Sequence, residues 1–451
     1  MTRQAESSLA KTMLGLAWPS LLLAVLQASL AIVDANLASR LGLDYLAAIA
    51  VMYPFFTLMQ IVALGGFGGA VAAHVARAAG ARDASLVRRT AAVAIGLSFA
   101  IGLACSLAYF AFGERLIYRL LKTPASAQLA LEYGFLLIGM APVLWVSNCA
   151  VSIARGLGLM KQTLWSACIV YPLQVLGISA CIVLLGVQSI WALALATLMG
   201  NLCLGLLIAA QAMRHPMLKA ACDARVSQWR QILASLSSVG FFTSASSTIT
   251  GLSLIMLSGI AAARYDQNAL SAYGIVMRIE VIMMMLMSSV GVAVVTTCAS
   301  AMGRKDAATA TRAAKIGVTT TAVLVGTLGI LCASNAELIL RPFSIPPAVH
   351  AYAESYLSVV GWTFPLMAVG FSSLFVGQGL HRPRLFFAAA VTRFVFLLGA
   401  TQVAAQDFGS FAAVVGAGYA LFGVLAASGL LYEKSRLRTV FTGQVAFQRK
   451  A

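Results

Sequence analysis

Residues 20–40 read SLLLAVLQASLAIVDANLASR. The run is apolar enough and long enough to cross a bilayer as a helix, yet it carries Asp34 about three-quarters of the way along. An acid in the middle of a lipid-spanning helix costs about 2.5–3.5 kcal/mol, so it should face a partner helix or a water-filled cavity. Gln27 precedes Asp34 by two helical turns and shares its face. Arg40 lies about 9 Å further along at 1.5 Å per residue, which sets Asp34 inside the apolar layer. The remaining acids of the first half stand at helix starts or in loops.

Working outward, the 451 residues are 61% hydrophobic and only 10% charged, the composition of a polytopic membrane protein and not of a soluble enzyme. Twelve apolar runs are long enough to span, at about 13–37, 46–75, 91–112, 131–153, 163–185, 190–212, 232–262, 270–300, 316–335, 354–378, 385–405 and 409–432. The first is too long for a signal-peptide core. Twenty-three of the 31 Lys and Arg fall on one side of the resulting topology and six on the other, which predicts cytoplasmic termini in a bacterial inner membrane. The formal charge of +17 thereby follows from topology and contact with anionic lipid, without a nucleic-acid partner. Eight scattered cysteines without a CxxC pair and four dispersed histidines predict no metal site and no disulfide framework.

The chain repeats itself. One constant shift lays Gly80 on Gly303, Asp83 on Asp306, Arg89 on Arg312, Tyr133 on Tyr356, Pro142 on Pro365 and Gly156 on Gly379. Each half holds six runs, an even number, so both halves share one orientation and a pseudo-two-fold axis along the membrane normal is expected. The expected architecture is all-α: a six-helix lobe over 1–212, a cytoplasmic linker over 213–231, and a six-helix lobe with a tail over 232–451.

Several motifs carry a resemblance. Trp18-Pro19, Val33-Asp34, Ala47-Ala48, Tyr53-Pro54 and Gly80-Ala81-Arg82-Asp83 stand in one order, followed by Ala154-Arg155-Gly156-Leu157-Gly158, Ala194-Leu195-Ala196-Thr197 and Ala272-Tyr273-Gly274-Ile275-Val276-Met277-Arg278. Together they resemble the multidrug and toxic compound extrusion (MATE) transporters, nearest the DNA-damage-inducible F protein-like branch. The resemblance implies an antiporter, driven by a proton or sodium gradient, that exports small amphipathic or cationic compounds by alternating access without a cofactor. It implies a polar pocket of Pro19 as the kink of the first helix, Gln27, Asp34, Asn148 and Thr197. This chain departs from that branch on the fifth helix, where Gln174 stands and no acid does.

The residues give further candidates. Asp34 is read as the titrating group with Gln27 beside it. Tyr53, Tyr171, Tyr273 and Trp145 suit stacking on a flat cation, and Met284 within the run Met283-Met284-Met285 suits an adaptable cavity wall; ordinary packing explains the same residues. Arg278 and Glu280 are two apart and need separate partners. Arg393 is an anchor that could pair with Glu280. A lipid-linked precursor flippase is the alternative within transport, and it would need several cavity cations where only Arg278 and Arg393 are available. An intramembrane enzyme holding magnesium and diphosphate would need clustered acids, and no DxxD pair lies at a helix end. The expected partners are a small-molecule substrate and membrane lipid, and the expected state is a monomer.

Overall fold

The computed structural model describes residues 2–41, 43–121, 123–180, 189–219, 226–341 and 346–448. They form helices joined by short turns, and no strand occurs among them. In chain order the helices are α1 (Thr2–Leu41), α2 (Leu43–Gln60), α3 (Gly68–Gly80), α4 (Ala84–Leu120), α5 (Pro124–Gly134), α6 (Ala141–Gly156), α7 (Met160–Ser179), α8 (Ile190–Met213) and α9 (Pro216–Lys219). Next come α10 (Val226–Arg264), α11 (Gln267–Gly303), α12 (Ala307–Ser334), α13 (Ala336–Leu340), α14 (Pro347–Val360), α15 (Phe364–Gly379), α16 (Arg384–Val403) and α17 (Phe408–Gln448).

Ten stretches among the described residues are long and apolar enough to span a bilayer, and the pair 124–139 with 141–156, bent by 44°, makes an eleventh. The remaining run, 163–185, begins within α7; its residues 181–185 lie outside the described residues. Pro142 explains the bend, because a ring without an N–H at the start of α6 interrupts the helical ladder. A π-helical segment, Phe135–Gly139, leads into it. A second π-helical segment, Ile61–Phe67, joins α2 to α3 without breaking that span.

The chain divides into two compact units, Pro19–Ser244 and Met1–Trp18 with Ala245–Ala451. The divisions fall inside α1 and inside α10, so the compact units differ from the sequence halves 1–212 and 232–451 at both ends. The reason is visible in the packing: Met13 of α1 is buried with Val294, Ala310, Ala313 and Val376 of the later helices. Likewise Ile232, Leu236 and Val239 of α10 join the core of the first unit. That core is built on Phe67, Val71, Leu137, Leu144 and Trp145. The second unit is built on Tyr273, Met287, Phe364, Phe411, Tyr419 and Phe422.

Turns repeat at the spacing read in the sequence. The four positive-φ residues among those described are Arg82 (57°), Gly158 (78°), Lys305 (59°) and His381 (58°). The shift that lays Gly80 on Gly303 also lays Arg82 on Lys305 and Gly158 on His381. Around Arg82 the N–H groups of residues 81, 82 and 83 bond the carbonyls of 77, 79 and 78; around Lys305 those of 304, 305 and 306 bond 300, 302 and 301. The bonds around Gly158 and His381 correspond in the same way. Asp83 and Asp306 each accept a bond from the N–H three residues on, capping α4 and α12. A Cβ on Gly156 would lie 2.7 Å from the Ala72 carbonyl oxygen, and one on its counterpart Gly379 would lie 3.1 Å from that of Val295, the counterpart of Ala72.

Candidate functional site

In the second unit, α11 starts on Asp266, whose carboxylate accepts from the Ala269 N–H at 2.8 Å. The helix then buries the stripe Tyr273, Val276, Ile279, Glu280, Met283 and Met287. The heptad spacing of Tyr273, Glu280 and Met287 places an acid in the middle of an apolar face. Glu280 is wholly buried. Its Oε1 accepts a hydrogen bond from the Tyr356 hydroxyl of α14 at 2.8 Å, and its Oε2 accepts one from the Tyr419 hydroxyl of α17 at 3.0 Å. Three helices are thereby joined through one carboxyl group.

Arg393 of α16, also buried, sets its guanidinium carbon 4.5 Å from the centroid of the Tyr419 ring and 5.9 Å from that of Phe422. Among the described residues Glu280 and Arg393 form no ion pair. The pairing that the sequence left open is not a direct one: Tyr419 gives its hydroxyl to the acid and its ring face to the cation. The Tyr273 ring meets Tyr356 edge-on with centroids 5.9 Å apart. The Tyr273 hydroxyl and the Nε and Nη2 of Arg393 are buried and have no hydrogen-bond partner among the described residues. A cluster of this kind holds an acid in place between three helices.

The first unit disperses its candidates. Gln27 of α1 is exposed and donates from Nε2 to the Tyr171 hydroxyl of α7 at 3.2 Å. Asn148 of α6 is buried and donates to Gln60 Oε1 at 2.6 Å. Arg155 of the same helix donates to the Leu64 carbonyl at 3.3 Å. Thr197 of α8 bonds back to the Leu193 carbonyl, and Asn201 donates to the Thr197 carbonyl at 2.8 Å. Gln174 is buried against Gly200, and its amide atoms have no partner among the described residues. Pro19 is buried within α1, which runs unbroken through it. Tyr53 is half exposed. The Asp34 side chain lies outside the described residues, although α1 runs through that position.

In the second unit, Arg278 is exposed and Met284 is half-buried against the core. Sequence reasoning placed Glu280 and Arg393 in one lobe but missed Tyr356 and Tyr419. A signal for Tyr419 exists: it sits in the stripe Phe408, Phe411, Val415, Tyr419, Phe422, and a buried tyrosine hydroxyl needs an acceptor. Among the described residues no three His, Cys, Asp or Glu side chains gather as a metal site would require.

The family model described as MatE matches residues 19–180 and 244–400. The chain is 26% identical over 381 residues to a probable multidrug resistance protein NorM of Bradyrhizobium diazoefficiens, covering 82% of this chain and 78% of that one. It is 23% identical over 363 residues to a probable multidrug resistance protein YoeA of Bacillus subtilis, covering 77% and 76%. Among solved structures, a MOP superfamily transporter from Pyrococcus furiosus superposes with a TM-score of 0.85 at 18% identity, covering 95% of this chain and 97% of that one. An outward-facing multidrug resistance MATE family transporter of the MOP superfamily superposes at 0.83 and 18%, with 96% and 97% covered. These likenesses are to a twelve-helix, two-lobe fold.

Proposed function

The chain belongs to the MatE family, and from that premise we propose that it is a secondary active antiporter exporting small amphipathic or cationic compounds in exchange for protons. Sodium is the second candidate ion. The two halves are read as one duplicated six-helix unit, which the matching turns at Arg82 and Lys305, and at Gly158 and His381, support. An inner-membrane location with both termini cytoplasmic follows from the distribution of Lys and Arg.

The observation that carries proton coupling is the bonding of Glu280. As an ionised acceptor it takes a hydroxyl from Tyr356 on α14 and another from Tyr419 on α17. Once protonated, the carboxyl becomes a donor at one oxygen, and the tyrosine facing that oxygen must either turn to accept or donate to a weaker acceptor. A proton therefore changes how strongly α11 is tied to α14 and α17. A ligand shifts a conformational equilibrium only through such a difference between states. The Tyr273 hydroxyl and the Arg393 guanidinium offer partners for the rearranged bonds. In the first half, Asp34 with Gln27 is the matching proposal, because an acid inside a spanning helix is functional by default. The flippase reading is weaker here because Arg393 is engaged by Tyr419 and Phe422.

The experiment is export of a fluorescent organic cation from proteoliposomes under an imposed pH gradient, then under an imposed sodium gradient. Glu280→Gln keeps shape and hydrogen bonding but fixes the neutral state, and Asp34→Asn does the same in α1. Each variant is expected to insert normally and to export only at the rate seen without a gradient. Wild-type rates in both variants under the pH gradient would overturn carboxylate coupling at these positions. A response of the wild type to sodium alone would replace the proton with sodium.

A further inference from the structure

A groove of about 340 Å³ lies between α16 and α17, lined by Leu385, Ala388, Ala389, Thr392, Leu425, Ser428, Gly429 and Tyr432. Each helix contributes one stripe at the spacing i, i+3, i+4, i+7, so the groove runs along both helices for about 10 Å. Small residues, Ala388 and Ala389 on one side and Ser428 and Gly429 on the other, leave the space open. In the other half, Trp165 and Ile169 stand at the positions that the internal repeat matches to Ala388 and Thr392. Of the three hydroxyls of the groove, two are satisfied within their own helices, Thr392 bonding the Ala388 carbonyl at 2.9 Å and Ser428 the Leu425 carbonyl at 2.8 Å, and the third, that of Tyr432, belongs to the last turn of the α17 stripe. Apart from Tyr432, the walls therefore ask nothing polar of an occupant.

One end of the groove is charged. The α16 stripe continues one turn toward its N-terminus to Arg384, four residues before Ala388, and the α17 stripe continues one turn on to Arg436, four residues after Tyr432. Both arginines are exposed. Arg382 and Lys434 lie at the same end, and the acid there, Glu433, is buried and 3.6 Å from Arg382 Nε. An apolar channel in spanning helices that ends in a surplus of cations matches one ligand, a chain of methylenes carrying a phosphate.

We propose that this groove binds an anionic phospholipid, one acyl chain lying between α16 and α17 and the phosphate against Arg384 and Arg436. Purified full-length protein in detergent is titrated with dioleoylphosphatidylglycerol and, separately, dioleoylphosphatidylcholine, and bound lipid is counted by native mass spectrometry. The wild type is expected to fill one site with phosphatidylglycerol more tightly than with phosphatidylcholine. Arg384→Gln with Arg436→Gln should weaken phosphatidylglycerol by roughly fivefold per arginine and leave phosphatidylcholine unchanged. Ala388→Trp, which borrows the residue of the other half, should abolish the site for both lipids. Ser428→Leu, at a second exposed position of the groove, makes the same test if Ala388→Trp fails to fold. Undiminished phosphatidylglycerol binding in the groove-filling variant overturns the proposal, and so does equal affinity of the wild type for the two lipids.

Discussion

At the scale of single residues, the hydrogen bonds to Glu280 set measurable costs. Tyr419→Phe removes one hydroxyl and leaves a buried carboxylate oxygen without a donor, so unfolding stability should fall by about 1–3 kcal/mol. Tyr356→Phe should cost a similar amount, and thermal unfolding in detergent reads both. A second cost depends on pH. Partial burial pushes the Asp306 carboxyl up, but the hydroxyl and N–H of Thr309, with Arg312 and Arg304, outweigh it and hold the group below the ordinary value of 3.8. A depressed carboxyl contributes stability that is complete above its unfolded value and is lost as pH falls through the folded one. The wild type should therefore lose stability as pH drops below about 4, and Asp306→Asn, which still caps α12, should lose less over the same range. The charged residues Glu280 and Arg393, which the structure buries, stand out in the sequence because charge inside an apolar run has few bland explanations. Their partners do not. Tyr356 and Tyr419 sit 76 and 139 residues from Glu280, and nothing in their local sequence states which helices meet.

At the scale of elements, the turns decide. Arg82 and Lys305 hold left-handed backbone, which costs an L-residue about 1–2 kcal/mol and a β-branched one more. Arg82→Val and Lys305→Val should each lower stability by about that amount, whereas the glycine variants should hold or gain stability; thermal unfolding separates the two. Helix packing is equally constrained. Gly156→Ala would place a Cβ 2.7 Å from both the Ala72 carbonyl oxygen and Val75 Cβ, so a loss of about 1–3 kcal/mol is expected. The spanning helices were readable from hydropathy because lipid admits only backbone that satisfies its own hydrogen bonds. The π segments at Ile61–Phe67 and Phe135–Gly139 were not, since a π turn inside an apolar span is too short to leave a periodicity of its own.

At the scale of the whole molecule, the asymmetry of cations predicts orientation. In a cysteine-free background, a cysteine at Ala125 should react with an impermeant reagent applied to intact cells, and one at Arg214 should react only after the membrane is opened. Both positions are exposed, whereas Ser126 is buried and bonded to Asp44 and would report poorly. Labelling of the Arg214 position from outside would reverse the topology. The extent of the lobes was only partly legible, because hydropathy marks where a span begins and ends but not which core each turn of it joins. Met13 illustrates the difference. It is made well before the later helices it packs with: the first of their buried residues in its cluster is Ala293, 280 residues on. At roughly 5–20 residues per second, that side of α1 waits some tens of seconds for its partners to leave the ribosome. That part of the first span is thus completed late, and biosynthesis must keep an unfinished helix in the bilayer while the helices between are still being inserted.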